Sequence, residues 1–154
     1  MESVAAAFTP SSVQRLPAKM SLPGQETWSQ ATMLNNMARV YARQGRYEEA
    51  LEHFERALAV RRKVFGEEHL STADALNNMA MVYSDKGRHE EALEYHGRAL
   101  AVRRKVLGEE HPDTAASLNN MANVYSDKGR YEEALEHYER ALAVKRKVFG
   151  EEHP

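Results

Sequence analysis

The stretch LNNMA, at residues 34–38, returns at residues 76–80 and again at residues 118–122. The period is therefore 42 residues, and residues 76–112 and 118–154 are identical at 30 of 37 aligned positions. A fixed period in this range is typical of a solenoid, in which each unit buries its apolar face against its neighbours. The sequence therefore predicts a stack of units that offers a surface for binding rather than a site for catalysis.

The composition narrows the classes of function. The 154 residues carry a formal net charge of −2, which gives no general attraction to nucleic acid or to an acidic membrane surface. No apolar run approaches the length of about 20 residues that a membrane-spanning helix needs. The chain has no cysteine, which excludes disulfides, thiolate metal sites and cysteine nucleophiles and fits a cytoplasmic location.

The first 23 residues differ from the rest of the chain. They contain Pro10, Pro17 and Pro23 and do not share the 42-residue period, so we expect a disordered tail over residues 1–23. Their shortage of acidic residues also leaves open an organelle transit peptide. The repeat domain is predicted over residues 24–154, with units at 24–65, 66–107 and 108–149 and the start of a fourth at 150–154.

Two columns of glycine divide each unit into two helices. Gly45 and its equivalents follow one helix, and Gly66 and its equivalents follow the other, as glycine often does at a helix end. The predicted N-caps of the first helices are Ser29, Ser71 and Asp113, and the second helices are predicted to begin near Tyr47, His89 and Tyr131.

The second unit departs from the pattern at two neighbouring positions. His96 stands where the other units have Phe54 and Tyr138. Gly97 replaces a glutamate inside the predicted helix, at a cost of about 1 kcal/mol relative to alanine.

The spacing of the small and aromatic residues resembles the tetratricopeptide repeat. The matching positions in the first unit are Ala38, Tyr41, Gly45, Tyr47, Ala50, Phe54 and Ala57. The 42-residue unit, with LNNMA, GRYEEALEHYERALAV and GEEHPDTA, is similar to the repeats of kinesin light chain. The resemblance implies an all-α solenoid, a right-handed superhelix of three antiparallel helix pairs. It also implies a non-enzymatic scaffold whose first helices line a concave face where extended peptides bind.

A helical wheel identifies the candidate binding residues as those opposite the core-facing stripe of each first helix. They are Asn36, Arg39, Arg43, Asn78, Met81, Asp85, Asn120, Asn123 and Asp127. The asparagines among them offer both a donor and an acceptor to a peptide backbone. The arginines make one end of the face basic and the aspartates make the other acidic, so we expect a ligand with an acidic element near the first unit.

The asparagines also allow a structural interpretation. Asn35, Asn77 and Asn119 lie nearer the core stripe, and for them we favour a role in the joint between units. For the opposite-face asparagines we favour binding, with stabilisation of the joint as the alternative.

The histidines do not form a convincing metal site. His69, His111 and His153 recur one unit apart and cannot converge on one ion, whereas His89 and His96 replace aromatic residues of a packed position. Every glycine is solitary, so no phosphate-binding loop is present. The sequence therefore predicts no enzyme, no metal and no cofactor.

Two other functions stay open. The last unit is followed by no polar capping helix in this sequence, so it could expose an apolar face and form a homodimer. The same feature fits a piece of a larger repeat-containing regulator.

Overall fold

A computed structural model describes residues 25–150 of the chain. The predictions for the tail and for residues 151–154 lie outside this part. The described chain forms six helices, α1 (Gln25–Arg43), α2 (Tyr47–Phe65), α3 (Leu70–Asp85), α4 (His89–Leu107), α5 (Pro112–Asp127) and α6 (Tyr131–Phe149).

The helices pack as three pairs, α1 with α2, α3 with α4, and α5 with α6. Three-residue connections join the members of each pair, which makes them antiparallel neighbours. The pairs contact one another through α2 with α3 and through α4 with α5. The prediction of an all-α solenoid is thereby confirmed, and each joint between repeats is mainly a contact of a second helix with the next first helix.

Glycine ends the helices as the sequence predicts. Gly45 and Gly66 have φ values of 76° and 87°, in the left-handed region that a side chain disfavours. The amide of Gly66 donates to the carbonyl oxygen of Arg62 over 2.9 Å, which satisfies one of the last carbonyls of α2.

The predicted N-caps of the first helices are wrong by two residues or more. Ser29 lies inside α1, and the caps of α3 and α5 are His69 and His111. The Nδ1 atom of each histidine accepts a 3.0 Å hydrogen bond from the amide two residues later, that of Ser71 or Asp113. An imidazole nitrogen thus takes the role that a serine or aspartate oxygen has at most N-caps.

The core runs through the stack and across the joints. Its largest fully buried side chains include Phe54, Leu76, Met79 and Leu118. One cluster extends from Ala38 in the first repeat to Val124 in the third, so the repeats do not have separate cores. This continuity holds the first helices in a fixed row.

Gly97 provides a stability prediction. It lies within α4, and a Cβ built on it meets no heavy atom within 4 Å. We expect Gly97→Ala to raise the free energy of unfolding by about 1 kcal/mol, because alanine loses less backbone entropy in a helix. Urea denaturation followed by circular dichroism measures the change.

Gly87→Ala is the matched control. The space around Gly87 is equally open, but its φ is 80°, where an alanine is strained. We expect this variant to lose stability. A loss in Gly97→Ala as well would show that helix propensity does not determine stability at that position.

Candidate partner-binding groove

A hollow of 320 Å³ lies between the first helices of repeats one and two. Arginines of α1 form one wall and residues of α3 form the other, while Phe54 of α2 contributes from the second helix. Its lining consists of Arg39, Ala42, Arg43, Phe54, Asn78, Met81, Val82 and Asp85. The hollow therefore combines an apolar surface with charges of both signs.

A second hollow of 120 Å³ occupies the equivalent place between repeats two and three. It lies between α3 and α5, and His96 of α4 takes the place of Phe54. Its lining consists of Met81, Ser84, Asp85, His96, Asn120, Asn123 and Val124. We call the two hollows together the groove; Met81 and Asp85 line both of them.

The groove contains seven of the nine residues selected from the sequence. Arg39, Arg43 and Asn78 line the first hollow, Asn120 and Asn123 line the second, and Met81 and Asp85 are shared. Asn36 and Asp127 are exposed but line neither hollow. The structure thus brings most of the predicted stripe together along one line.

Two of the groove asparagines also join the repeats. Asn78 Nδ2 donates to Asn35 Oδ1 over 3.1 Å, and Asn120 Nδ2 donates to Asn77 Oδ1 over the same distance. These bonds support the structural interpretation of Asn35 and Asn77. A primary amide has a second N–H and an acceptor oxygen, so one such bond is compatible with contact to a ligand.

His96 extends this network in the second joint. Its Nδ1 lies 3.0 Å from Asn77 Oδ1, and because an amide oxygen only accepts, the imidazole N–H donates. Burial lowers the pKa of His96 to about 4, and the positive charge of Arg103 acts in the same direction. His96 is therefore neutral at physiological pH. Sequence reasoning identified it as a packed residue but did not find its hydrogen bond.

The charged side chains of the groove differ in sign between helices. Arg39 and Arg43 lie on α1, whereas Asp85 ends α3; Asp127 ends α5 outside the two hollows. Asn123 is tied to the last helix, because the hydroxyl of Tyr138 donates to its Oδ1. The polar groups at the acidic end are thus partly fixed by the fold.

Residues 25–150 contain neither a cluster of potential metal ligands nor a membrane-spanning helix. No group of three histidine, aspartate or glutamate side chains there is arranged to hold a metal ion. Among the helices of that part of the chain, none has the length and hydropathy to cross a membrane.

A comparison with known families identifies the repeats of this chain. The tetratricopeptide repeat model matches residues 29–105 and, in a second register, residues 71–147. The chain belongs to the tetratricopeptide repeat family. Repeats of this family bind peptides or partner proteins and are generally non-enzymatic, so the fold supports a scaffold role in protein–protein interaction. Among the curated proteins, none matches the chain significantly.

Solved structures place these repeats with those of the kinesin light chain type. BtubC (BKLC) from P. vanneervenii is 26% identical, with a TM-score of 0.77 over 99% of this chain and 57% of that one. A putative kinesin light chain from Podosopora anserina, with nearly identical TPR-like repeats, is 31% identical, with a TM-score of 0.70 over 82% and 60% of the two chains. The tetratricopeptide domain of Arabidopsis FLU shares the fold at 17% identity and a TM-score of 0.68, covering 79% and 98%. This chain spans about three fifths of the length of the first two structures.

Proposed function

We propose that the groove binds an extended segment of a partner protein, with an acidic element of that segment held by Arg39 and Arg43. The observation that carries the proposal is the alignment of the two hollows, which share Met81 and continue from α1 to α5. A segment lying along this line would contact all three repeats.

The chemistry of the lining supports an extended peptide. Met81 is exposed between the hollows and offers a flexible apolar contact to side chains of different shapes. The amides of Asn78 and Asn120 flank it, and they can meet the alternating donors and acceptors of a peptide backbone.

The arginines give the proposed ligand a direction. Arg39 and Arg43 are one helical turn apart on α1 and both line the first hollow. A carboxylate between them would gain charge-assisted hydrogen bonds from two guanidinium groups. Asp85 faces the same hollow and would repel a second acidic residue placed further along, so we expect acidic residues at one end of the ligand.

Peptide display on the full-length chain tests the proposal. We expect selection to enrich sequences with aspartate or glutamate near one end. A synthetic peptide from the selection should bind the Arg39→Glu/Arg43→Glu variant at least about tenfold more weakly, a difference of about 1.4 kcal/mol by titration calorimetry. Met81→Lys should weaken the same peptide, because it places a charge between the two hollows.

The control variant reverses two charges outside the groove. Arg56 and Lys63 are exposed on α2 of the same repeat and line neither hollow. Arg56→Glu/Lys63→Glu should therefore bind the selected peptide as the original chain does. Equal binding by the two double variants, or a selection without acidic enrichment, would contradict the proposed site.

A further inference from the structure

The last helix exposes leucines whose equivalents in the first repeat are buried. Leu142 on α6 is 46% exposed, whereas Leu58 on α2 is 4% exposed. Leu135 is likewise exposed, and its equivalent in the first repeat, Leu51, is buried. The outer face of α6 is therefore a joint surface without a following first helix among the described residues.

Apolar residues of α1 are likewise more exposed than their equivalents in α3. Val40 on α1 is 53% exposed, whereas the equivalent Val82 on α3 is 3% exposed. Met37 is exposed and Met79, its equivalent, is fully buried. The outer face of α1 is thus the other half of the same joint, without a preceding second helix in the described part.

We infer that the outer face of α6 in one copy of this chain binds the outer face of α1 in a second copy, head to tail. The contact would repeat the joints that α2 makes with α3 and α4 makes with α5. The occupant is a second copy because the same columns of the sequence already form both sides of these joints twice within one chain. The exposed apolar residues of the two faces line neither hollow, so the inference does not depend on the proposed peptide binding.

Hydrogen-bonding groups match across the inferred contact. Within the chain, Asn35 accepts from Asn78 and Asn77 accepts from Asn120. The next acceptor in this series is Asn119, and the donor at the start of the series is Asn36. The head-to-tail contact would place Asn36 of the second copy opposite Asn119 of the first, completing the pattern.

Two positions of the inferred contact differ from their equivalents in the internal joints, and substitutions at these positions test the inference. Lys86 and Lys128 form ion pairs with Glu48 and Glu90 across the internal joints, whereas the equivalent residue, directly after α1, is Gln44. At a second position, Met33 stands where Ala75 and Ser117 are fully buried. We expect both differences to weaken the contact relative to an internal joint.

The symmetry of the expected assembly follows from the two faces that meet in the contact. Two different faces meet, so the contact is heterologous, and each added copy leaves one face of each kind at the ends. Association would therefore continue into short linear assemblies with increasing concentration, rather than stop at a dimer.

Sedimentation velocity on the full-length chain over a range of concentrations tests the inference. We expect the average mass to rise beyond two chains. Leu142→Glu on α6 and Val40→Glu on α1 should each give a monomer, and because both sites are exposed, circular dichroism should show unchanged helicity. An equimolar mixture of the two variants should form a discrete dimer, since each variant retains the face that the other lacks.

Two further variants should strengthen assembly. Met33→Ala removes a side chain that is too large for the joint, and we expect about tenfold tighter association. Gln44→Lys provides an ion-pair partner for Glu132. We expect about threefold tighter association, and we expect this gain to disappear at high salt. A non-specific apolar contact would instead be weakened by Met33→Ala.

Three results would overturn the inference. A monomer at every concentration would show that neither face binds a second copy. A dimer that persists in Val40→Glu would indicate a symmetric α6 contact. Failure of the two monomeric variants to pair in the mixture would exclude complementary faces.

Discussion

Replacing Leu100 with alanine is expected to lower the free energy of unfolding by about 3 kcal/mol. Leu100 lies on α4 and packs with Ala115 and Leu118 on α5, and with residues of α6, in a buried cluster across the second joint. The substitution removes three carbon atoms from this cluster and leaves a cavity that the rigid helices fill incompletely. Urea denaturation measures the loss.

The third repeat should respond most strongly to this change. In a stack, each repeat is stabilised largely by its neighbours, so a weakened joint lowers cooperativity between the repeats on either side. We expect hydrogen exchange in Leu100→Ala to rise more in α5 and α6 than in α1. Uniform acceleration over all six helices would instead indicate that the stack unfolds as one unit.

Leu142→Ala is the control, because it makes the same change in the equivalent position of α6. Leu142 is exposed, so its truncation removes little buried surface, and we expect a loss below about 1 kcal/mol at concentrations where the chain is monomeric. Equal losses of unfolding free energy in the two variants would mean that burial in the joint does not determine how much this leucine contributes to stability.

Much of the fold is predictable from sequence because its signals are local and repeated. The 42-residue period and the glycines with positive φ divide the chain into helix pairs, and the predicted second helices begin at Tyr47, His89 and Tyr131 as observed. The N-caps were missed because histidine is not among the strongly preferred capping residues. Its role at His69 and His111 depends on the loop conformation, which the sequence pattern does not specify.

Only the features of the site that depend on a single helix could be predicted from the sequence. A helical wheel gives the face of each first helix, and that was enough to select Arg39, Met81 and Asp85. The asparagine pairs depend on the rotation between repeats. Asn35 and Asn78 are 43 residues apart, one more than the period, so each bond joins two different columns. No pattern within one unit contains that information.

Lowering the pH from 7 to 4 is expected to destabilise the chain by about 3 kcal/mol through His96 alone. The pKa of His96 is lowered from its ordinary value of 6.5 to about 4, because burial disfavours the imidazolium and Arg103 repels it. Between these values the unfolded chain binds a proton that the folded chain does not, so stability falls as the pH falls below 6.5. Below pH 4 both states are protonated and the loss is complete.

Protonation would also disturb the second joint directly. Neutral His96 donates from Nδ1 to Asn77, and Asn77 accepts from Asn120 of the next repeat. An imidazolium would retain the first bond but carry a charge into the packed space beside the smaller hollow. We therefore expect acid to loosen the joint between repeats two and three before the joint between repeats one and two, where Phe54 occupies the equivalent position.

Two reciprocal substitutions isolate this effect from the titration of other groups. His96→Phe should remove about 3 kcal/mol of the difference in unfolding free energy between pH 7 and pH 4, and Asn77 would keep its bond from Asn120, as Asn35 keeps its bond from Asn78 beside Phe54. Phe54→His should add a comparable acid sensitivity at the first joint. Urea titrations at both pH values measure these differences. The explanation fails if His96→Phe shows the same loss of stability on acidification as the original chain, because the proton uptake would then occur elsewhere.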